Sequence, residues 1–168
     1  FDGTLSPGNM QEFGFIQAIG KSPQEFWSQS DEIAAGHDAS NILSYMKHMF
    51  DEAKKAGIKL RREDFNRFGS EVELFEGVLE WFKLTKEYGK QQGVVVEHYI
   101  NSSGLAEMVE GTPIAKEFKR IFACSFTYDD NGEAVWPGAA VDYTAKTQFL
   151  FKINKGIREV SDRVRVNE

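Results

Sequence analysis

The 168 residues include 26 acidic and 20 basic side chains, which give a net charge of −6, and 41% of them are hydrophobic, with 14 phenylalanines. This composition can supply a buried core, and the acidic balance argues against a nucleic-acid or membrane-surface partner, because surfaces that bind phosphate backbones are normally basic. No apolar stretch approaches the roughly 20 residues that a membrane-spanning helix needs, so we expect a cytoplasmic protein.

The chain begins with the residues FDGTLSPG. An apolar residue, an acidic residue and a glycine in this order are typical of a sharp exit from a strand. A carboxylate and bare backbone amides can meet a ligand at such an exit. We therefore take the turn at Asp2-Gly3 as the first candidate for a functional site.

Residues 21 to 70 carry helix signals and no strand pattern. The segment Ser22–Glu25 (SPQE) is a capping box with proline at the first helical position. Ser40 is a second N-cap, and apolar residues then recur at spacings of three and four until Gly57. A short third helix is predicted around Glu63 to Phe68. These segments predict a small helical layer.

Helices and strands alternate after Gly77. The pattern predicts a helix to about Tyr88, a strand from the β-branched run Val94–Val96 into Ile100, and a turn at Asn101-Ser102-Ser103-Gly104. A further helix is predicted from Leu105 to Val109.

The last part of the chain contains a hairpin and a helix. Apolar residues alternate from Phe122 to Tyr128, and the Asn131-Gly132 turn leads into Ala134–Trp136. Thr144 is the predicted cap of the last helix, which carries Lys146 and ends at Gly156.

This order of elements predicts an α/β fold with a helical insertion after its first strand. We expect a core domain from residues 1–8 and 75–168 and a helical cap from residues 9–74. Ligands of open α/β sheets lie at the carboxyl ends of the strands. At this edge of the predicted sheet, a lysine can supply positive charge, amides and a hydroxyl can donate hydrogen bonds, and a carboxylate can move a proton. This combination of groups suits the binding of a phosphoryl group.

Three segments resemble the motifs of the haloacid dehalogenase (HAD) superfamily phosphatases, in the phosphoserine-phosphatase-like branch. Phe1–Leu5 is similar to the second half of the Asp-x-Asp-Gly-Thr motif, and Tyr99–Gly104 to the apolar strand that ends in Ser or Thr. Thr144-Ala145-Lys146 resembles the lysine motif. The resemblance implies a Rossmann-like parallel sheet with a helical cap inserted after the first strand.

The resemblance also implies an activity, which is Mg²⁺-dependent hydrolysis of small phosphomonoesters through an aspartyl-phosphate. Asp2 would be the general acid/base, and its backbone carbonyl a magnesium ligand. Ser102 would bind the phosphoryl oxygens with the amides of Gly3 and Ser103. Lys146 would neutralise charge on the nucleophile and on the phosphoryl group. The partner would be a small phosphorylated metabolite.

Two parts of the family pattern do not occur in the sequence. The nucleophilic aspartate would stand immediately before Phe1, and the acidic fourth motif would follow the region Val160–Val166. We therefore expect that the parent protein is longer at both ends and that these 168 residues alone are inactive. The alternative is a catalytically inactive phosphate-binding or regulatory domain of the same fold.

Other chemistries fit less well. Ser102 lacks the flanking glycines of a serine-hydrolase nucleophile elbow. Carbon–halogen hydrolysis is disfavoured because Gly3-Thr4, Ser102 and Lys146 together suit a phosphate group. The histidines show no metal-ligand spacing, the acidic run 129–133 is explained by a hairpin turn, and Cys124 is predicted in the core. The cap side chains that could select a substrate are His37, Lys47, His48, Arg61 and Arg62.

Overall fold

A computed structural model describes residues 1–162 and 164–167 of the chain. Helices make up the first part of the structure, after a 3-10 turn at Met10–Glu12: α1 (Phe15–Ala18), α2 (Pro23–His37), α3 (Asn41–Lys55) and α4 (Arg62–Ser70). Helices and strands alternate in the second part: α5 (Val78–Gln91), β1 (His98–Leu105), α6 (Ala106–Gly111), β2 (Phe118–Tyr128), β3 (Ala134–Ala139), α7 (Tyr143–Asn154) and α8 (Val164–Asn167). None of the described helices is long and apolar enough to cross a membrane.

Helix starts follow the capping signals in the sequence. The Ser22 hydroxyl accepts a hydrogen bond from the Glu25 N–H (3.2 Å), and the Glu25 carboxylate accepts one from the Ser22 N–H (2.9 Å). Ser40 caps α3 by accepting from the Leu43 N–H. These side chains satisfy amides that have no partner inside the helix. The predicted starts of α2 and α3 are confirmed.

The strands form a sheet in the order β1-β2-β3. β1 and β2 are parallel and are connected through α6, whereas β2 and β3 form an antiparallel hairpin. Gly132 in the hairpin turn has a φ of +74°, which glycine adopts without strain. The predicted hairpin is confirmed, although β2 begins four residues earlier than Phe122.

The predicted strand and turn before α6 are wrong in their bounds. Val94 and Val95 are 57% and 89% exposed and lie outside any strand, so their β-propensity has no sheet to join among the described residues. The strand instead begins at His98 and continues through Asn101–Gly104, the segment predicted as a turn. Its pairing with β2 shifts register between Asn101 and Leu105, so the turn-forming residues are held as an irregular strand end.

The cap of α7 also differs from the prediction. Asp142 is the N-cap, and its carboxylate accepts from the Ala145 N–H at 2.7 Å. The Thr144 hydroxyl donates to the same carboxylate oxygen at 2.7 Å. Aspartate takes this position because its carboxylate accepts both donors and complements the positive end of the helix dipole.

The helical layer and the sheet share one hydrophobic core. Phe15 and Phe65 from the helices and Phe122 from β2 belong to the same buried cluster. Backbones touch where α4 meets α6: a Cβ on Gly69 would lie 2.0 Å from the Met108 carbonyl oxygen, and one on Gly111 would lie 2.0 Å from the Asn66 carbonyl oxygen. These two glycines allow α4 to lie directly on the helix that follows β1.

Candidate functional site

The N-terminal turn holds Asp2 in a fixed position. The Phe1 carbonyl accepts from the N–H groups of Thr4 (3.1 Å) and Leu5 (2.8 Å), and the Gly3 N–H donates to the Ser6 carbonyl (2.8 Å). Gly3 has a φ of +67°, which the turn requires and other residues disfavour. The Gly3 amide, predicted to bind phosphate, is therefore already engaged within the turn.

The Asp2 carboxylate is half-buried and points toward the end of β1. One oxygen accepts from the Met10 N–H at 3.2 Å, and the other lies 3.2 Å from the place that a Cβ on Gly104 would take. Burial raises the pKa of this carboxyl. The amino group of Phe1 and the hydrogen bond from the Met10 N–H lower it, the carboxylate of Glu12 raises it, and Lys146 has a smaller lowering effect. A carboxyl with a raised pKa is suited to donating a proton.

Ser102 and Ser103 directly precede Gly104, the residue of β1 that lies against this carboxylate. Ser102 is 4% exposed, and its hydroxyl oxygen accepts from the Gly104 N–H at 3.1 Å. The hydroxyl hydrogen can still be donated, because a serine hydroxyl both donates and accepts. The Ser103 carbonyl accepts from the Tyr45 hydroxyl (2.7 Å) and from the Cys124 thiol (3.3 Å).

Lys146 lies in the first turn of α7 and is half-buried. Its backbone carbonyl accepts from the Asn101 side-chain amide at 2.8 Å, which ties the start of α7 to β1. Its charge is the smallest of the influences on the pKa of Asp2, which it lowers. The structure thus brings together the three segments that the sequence singled out: the Asp2 turn, Asn101–Gly104 and Lys146.

Sequence reasoning missed three residues that build this site. Met10 is fully buried and packs against Gly104, Asn101 binds the start of α7, and Tyr45 reaches across from α3. Asn101 stands inside a segment that was already a candidate. The role of Tyr45 could have been suspected because it carries a hydroxyl and stands next to the apolar stripe of α3.

The magnesium site that the resemblance implies would use Asp2 at the N-terminal turn. Asp2 offers one carboxylate at the turn, and the described part of the chain contains no group of three or more His, Cys, Asp or Glu side chains that could hold a metal ion. Magnesium requires a nearly octahedral set of oxygen ligands. The Mg²⁺ assignment stays a prediction.

The remaining candidates lie elsewhere. His37 and His48 line an open cleft between α2 and α3, where His48 is buried against the ring of Phe26 and burial lowers its pKa. Arg62 pairs with Glu110 at 2.9 Å, and Lys47 pairs with Asp51 on the surface of α3.

Cys124 lies in the core, as predicted, and burial raises the pKa of its thiol. A neutral, buried thiol is not a nucleophile.

No protein-family model matches the chain. An uncharacterized protein from Borreliella burgdorferi (strain ATCC 35210 / DSM 4680 / CIP 102532 / B31) is 29% identical over an alignment 190 residues long, and the alignment covers 98% of this chain. The chain spans 66% of the length of that relative.

Two solved structures are similar to the chain. A phosphoserine phosphohydrolase-like protein from Francisella tularensis subsp. tularensis SCHU S4 matches with a TM-score of 0.55 and 19% identity, over 89% of this chain and 70% of that one. Cytosolic 5'-nucleotidase IIIB bound to cytidine matches with a TM-score of 0.45 and 14% identity, over 97% of this chain and 57% of that one. The first match shows an α/β fold of the HAD type, so the predicted fold class is confirmed.

Proposed function

We propose that the full-length protein is a HAD-type hydrolase of small phosphomonoesters. The observation that carries this proposal is that the Asp2 carboxylate lies against Gly104 of β1, and that Asn101 of the same strand binds the backbone carbonyl of Lys146 at the start of α7. The fold shared with a phosphoserine phosphohydrolase-like protein supports it.

The residues of this chain bind the phosphoryl group and move protons. The Lys146 ammonium attracts the phosphoryl oxygens and offsets the negative charge that builds up on them. The Ser102 hydroxyl donates one hydrogen bond to the same oxygens. Because the Ser102 hydroxyl oxygen already accepts a hydrogen bond from the Gly104 N–H, little reorganisation of this group accompanies binding.

Asp2 transfers the proton in each half of the reaction. A nucleophilic carboxylate, which the resemblance expects immediately before Phe1, attacks phosphorus as the bond to the ester oxygen breaks, and the Asp2 carboxyl protonates that departing oxygen. Asp2, now a carboxylate, then takes a proton from the water that attacks phosphorus and releases inorganic phosphate. General acid–base catalysis of this kind typically contributes about 10²–10⁴ in rate.

The test is phosphate release by the full-length protein from a panel of small phosphomonoesters, with Mg²⁺ and with a chelator. Asp2→Asn and Lys146→Ala should each lower kcat at least about 100-fold while the folded protein persists. Asp130→Asn and Lys116→Ala, which change exposed residues of the same types, should keep wild-type rates.

Wild-type rates in both Asp2→Asn and Lys146→Ala would refute the mechanism. Binding of inorganic phosphate by the full-length protein without any turnover would refute the hydrolase and leave the inactive phosphate-binding domain. A chelator that leaves turnover unchanged would refute the magnesium dependence alone.

A further inference from the structure

The hydroxyl of Tyr45 joins the helical layer to the candidate phosphoryl-binding segment. Tyr45 lies on α3, is 5% exposed, and donates to the Ser103 carbonyl of β1 at 2.7 Å, across 58 residues of sequence. Its ring meets the edge of Trp27, with the ring centroids 5.9 Å apart. The indole N–H of Trp27 donates to Glu12 at 2.7 Å, which fixes the neighbouring ring in turn.

The peptide unit between Ser103 and Gly104 is held at both ends. Its carbonyl oxygen accepts from Tyr45 and from the Cys124 thiol, and its N–H donates to the Ser102 hydroxyl oxygen. A peptide unit is planar, so fixing the carbonyl direction also fixes the direction of the N–H. The Ser102 hydroxyl is therefore oriented through this peptide.

Tyr45 supplies the stronger of the two bonds to this carbonyl. A thiol is a weak donor, and the Cys124 sulfur lies farther from the oxygen, at 3.3 Å against 2.7 Å for the Tyr45 hydroxyl. Burial raises the pKa of Tyr45 well above its usual range, which keeps the hydroxyl protonated and able to donate. Loss of this hydroxyl would leave the carbonyl with only the weaker thiol donor of Cys124 among these two.

We propose that Tyr45 is a positioning residue for Ser102, and that α3 sets the geometry of the phosphoryl-binding site through the Ser103–Gly104 peptide. This inference rests on the proposed function. Tyr45 does not contact the reacting atoms in this arrangement, since its hydroxyl is committed to a backbone carbonyl. Its effect on phosphate binding passes through Ser102.

The test compares Tyr45→Phe with Tyr128→Phe. Tyr128 also donates its hydroxyl to a buried acceptor, the Glu107 carboxylate at 2.9 Å, so the control loses a comparable bond away from the site. Two quantities are measured: the amide NMR signal of Gly104, and the Kd for inorganic phosphate in the full-length protein. We expect Tyr45→Phe to shift the Gly104 signal and to weaken phosphate binding about fivefold, whereas Tyr128→Phe changes neither.

A double-mutant cycle separates positioning from general destabilisation. If Tyr45 acts through Ser102, Tyr45→Phe should have no further effect on the phosphate Kd once Ser102→Ala is present. Additive effects, or an unchanged Gly104 signal in Tyr45→Phe, would overturn the inference. Should Tyr45→Phe fail to fold, Cys124→Ala removes the other donor to the same carbonyl and must show a smaller shift of the same kind.

The two proposals fail in different ways. A wild-type protein that neither binds nor releases phosphate refutes the proposed function. The Gly104 amide signal would still report whether Tyr45 orients the peptide, because that signal requires no ligand.

Discussion

Replacement of Gly104 by alanine would test how closely the Asp2 turn packs on β1. A Cβ at this position would lie 2.3 Å from the terminal methyl carbon of Met10, 2.9 Å from its sulfur and 3.2 Å from an Asp2 carboxylate oxygen. Met10 is fully buried, and the Leu105 N–H lies 3.2 Å from its sulfur, so the side chain has no open space to enter. The methionine and the carboxylate must both shift.

The expected cost follows from two opposed effects. Overpacking of a filled core costs about 1–3 kcal/mol. Alanine recovers about 0.5–1 kcal/mol, because glycine inside a strand loses more conformational entropy on folding. We expect a net loss of about 1–2 kcal/mol in the free energy of unfolding, or a fall in Tm of about 2–8 °C for a chain of this length.

Urea unfolding of Gly104→Ala and Gly36→Ala provides the measurement. Gly36 is exposed in α2, and a Cβ there would meet nothing within 4 Å, so alanine should stabilise the control by about 0.5–1 kcal/mol. Met10→Val removes both clashing atoms, and Gly104→Ala should cost less in that background. If Gly104→Ala is as stable as Gly36→Ala, the close packing of Met10 and Asp2 on β1 is refuted.

Two further predictions concern buried charged groups outside the site. Burial raises the pKa of Glu107 above its ordinary value of 4.5, so the stability that the neutral carboxyl provides is complete below that value and is lost as pH rises through the raised pKa. In urea unfolding across this pH interval, the free energy of unfolding of Glu107→Gln should increase relative to that of the wild type. A difference that stays constant with pH would contradict this expectation. Lys152 is fully buried and donates to the carbonyls of residues 159, 160 and 162 at 2.7–2.8 Å. Lys152→Met should therefore lower the free energy of unfolding by about 2–4 kcal/mol and expose that segment to protease, whereas Lys155→Met, at an exposed position, should lower it by less than about 1 kcal/mol. Equal losses of stability in the two variants would contradict the role of these bonds.

Elements with a local cause could be predicted from the sequence. The helix starts at Ser22 and Ser40 depend on side chains within three residues of the amides they cap, and the Asn131-Gly132 turn depends on its own φ angles. The candidate site segments were found for the same reason, since an Asp-Gly turn and a lysine in a first helical turn are local patterns.

Elements with a distant cause could not be predicted. Asn101–Gly104 has the composition of a turn, but Met10 and Asp2 pack on Gly104, and the segment continues β1. Val94 and Val95 have the composition of a strand, but the described residues offer them no sheet partner. In both segments the contact that decides the outcome lies outside the window from which propensity is read.

The contacts between the helical layer and the site also explain why the sequence gives little indication of which residues of that layer hold the site. Tyr45 binds the Ser103 carbonyl, the Asn66 amide binds the Glu107 carbonyl at 2.6 Å, and Gly69 lies against the Met108 carbonyl. On the side of β1 and α6, each of these contacts is made by a main-chain oxygen, which every residue possesses. Apart from Gly111, substitutions in β1 and α6 therefore keep these carbonyl oxygens. Substitution of Tyr45 or Asn66 removes the donor, and a side chain on Gly69 would clash with the Met108 carbonyl. It follows that some of the residues that fix the geometry of the site lie in α3 and α4, outside the motifs that identify it.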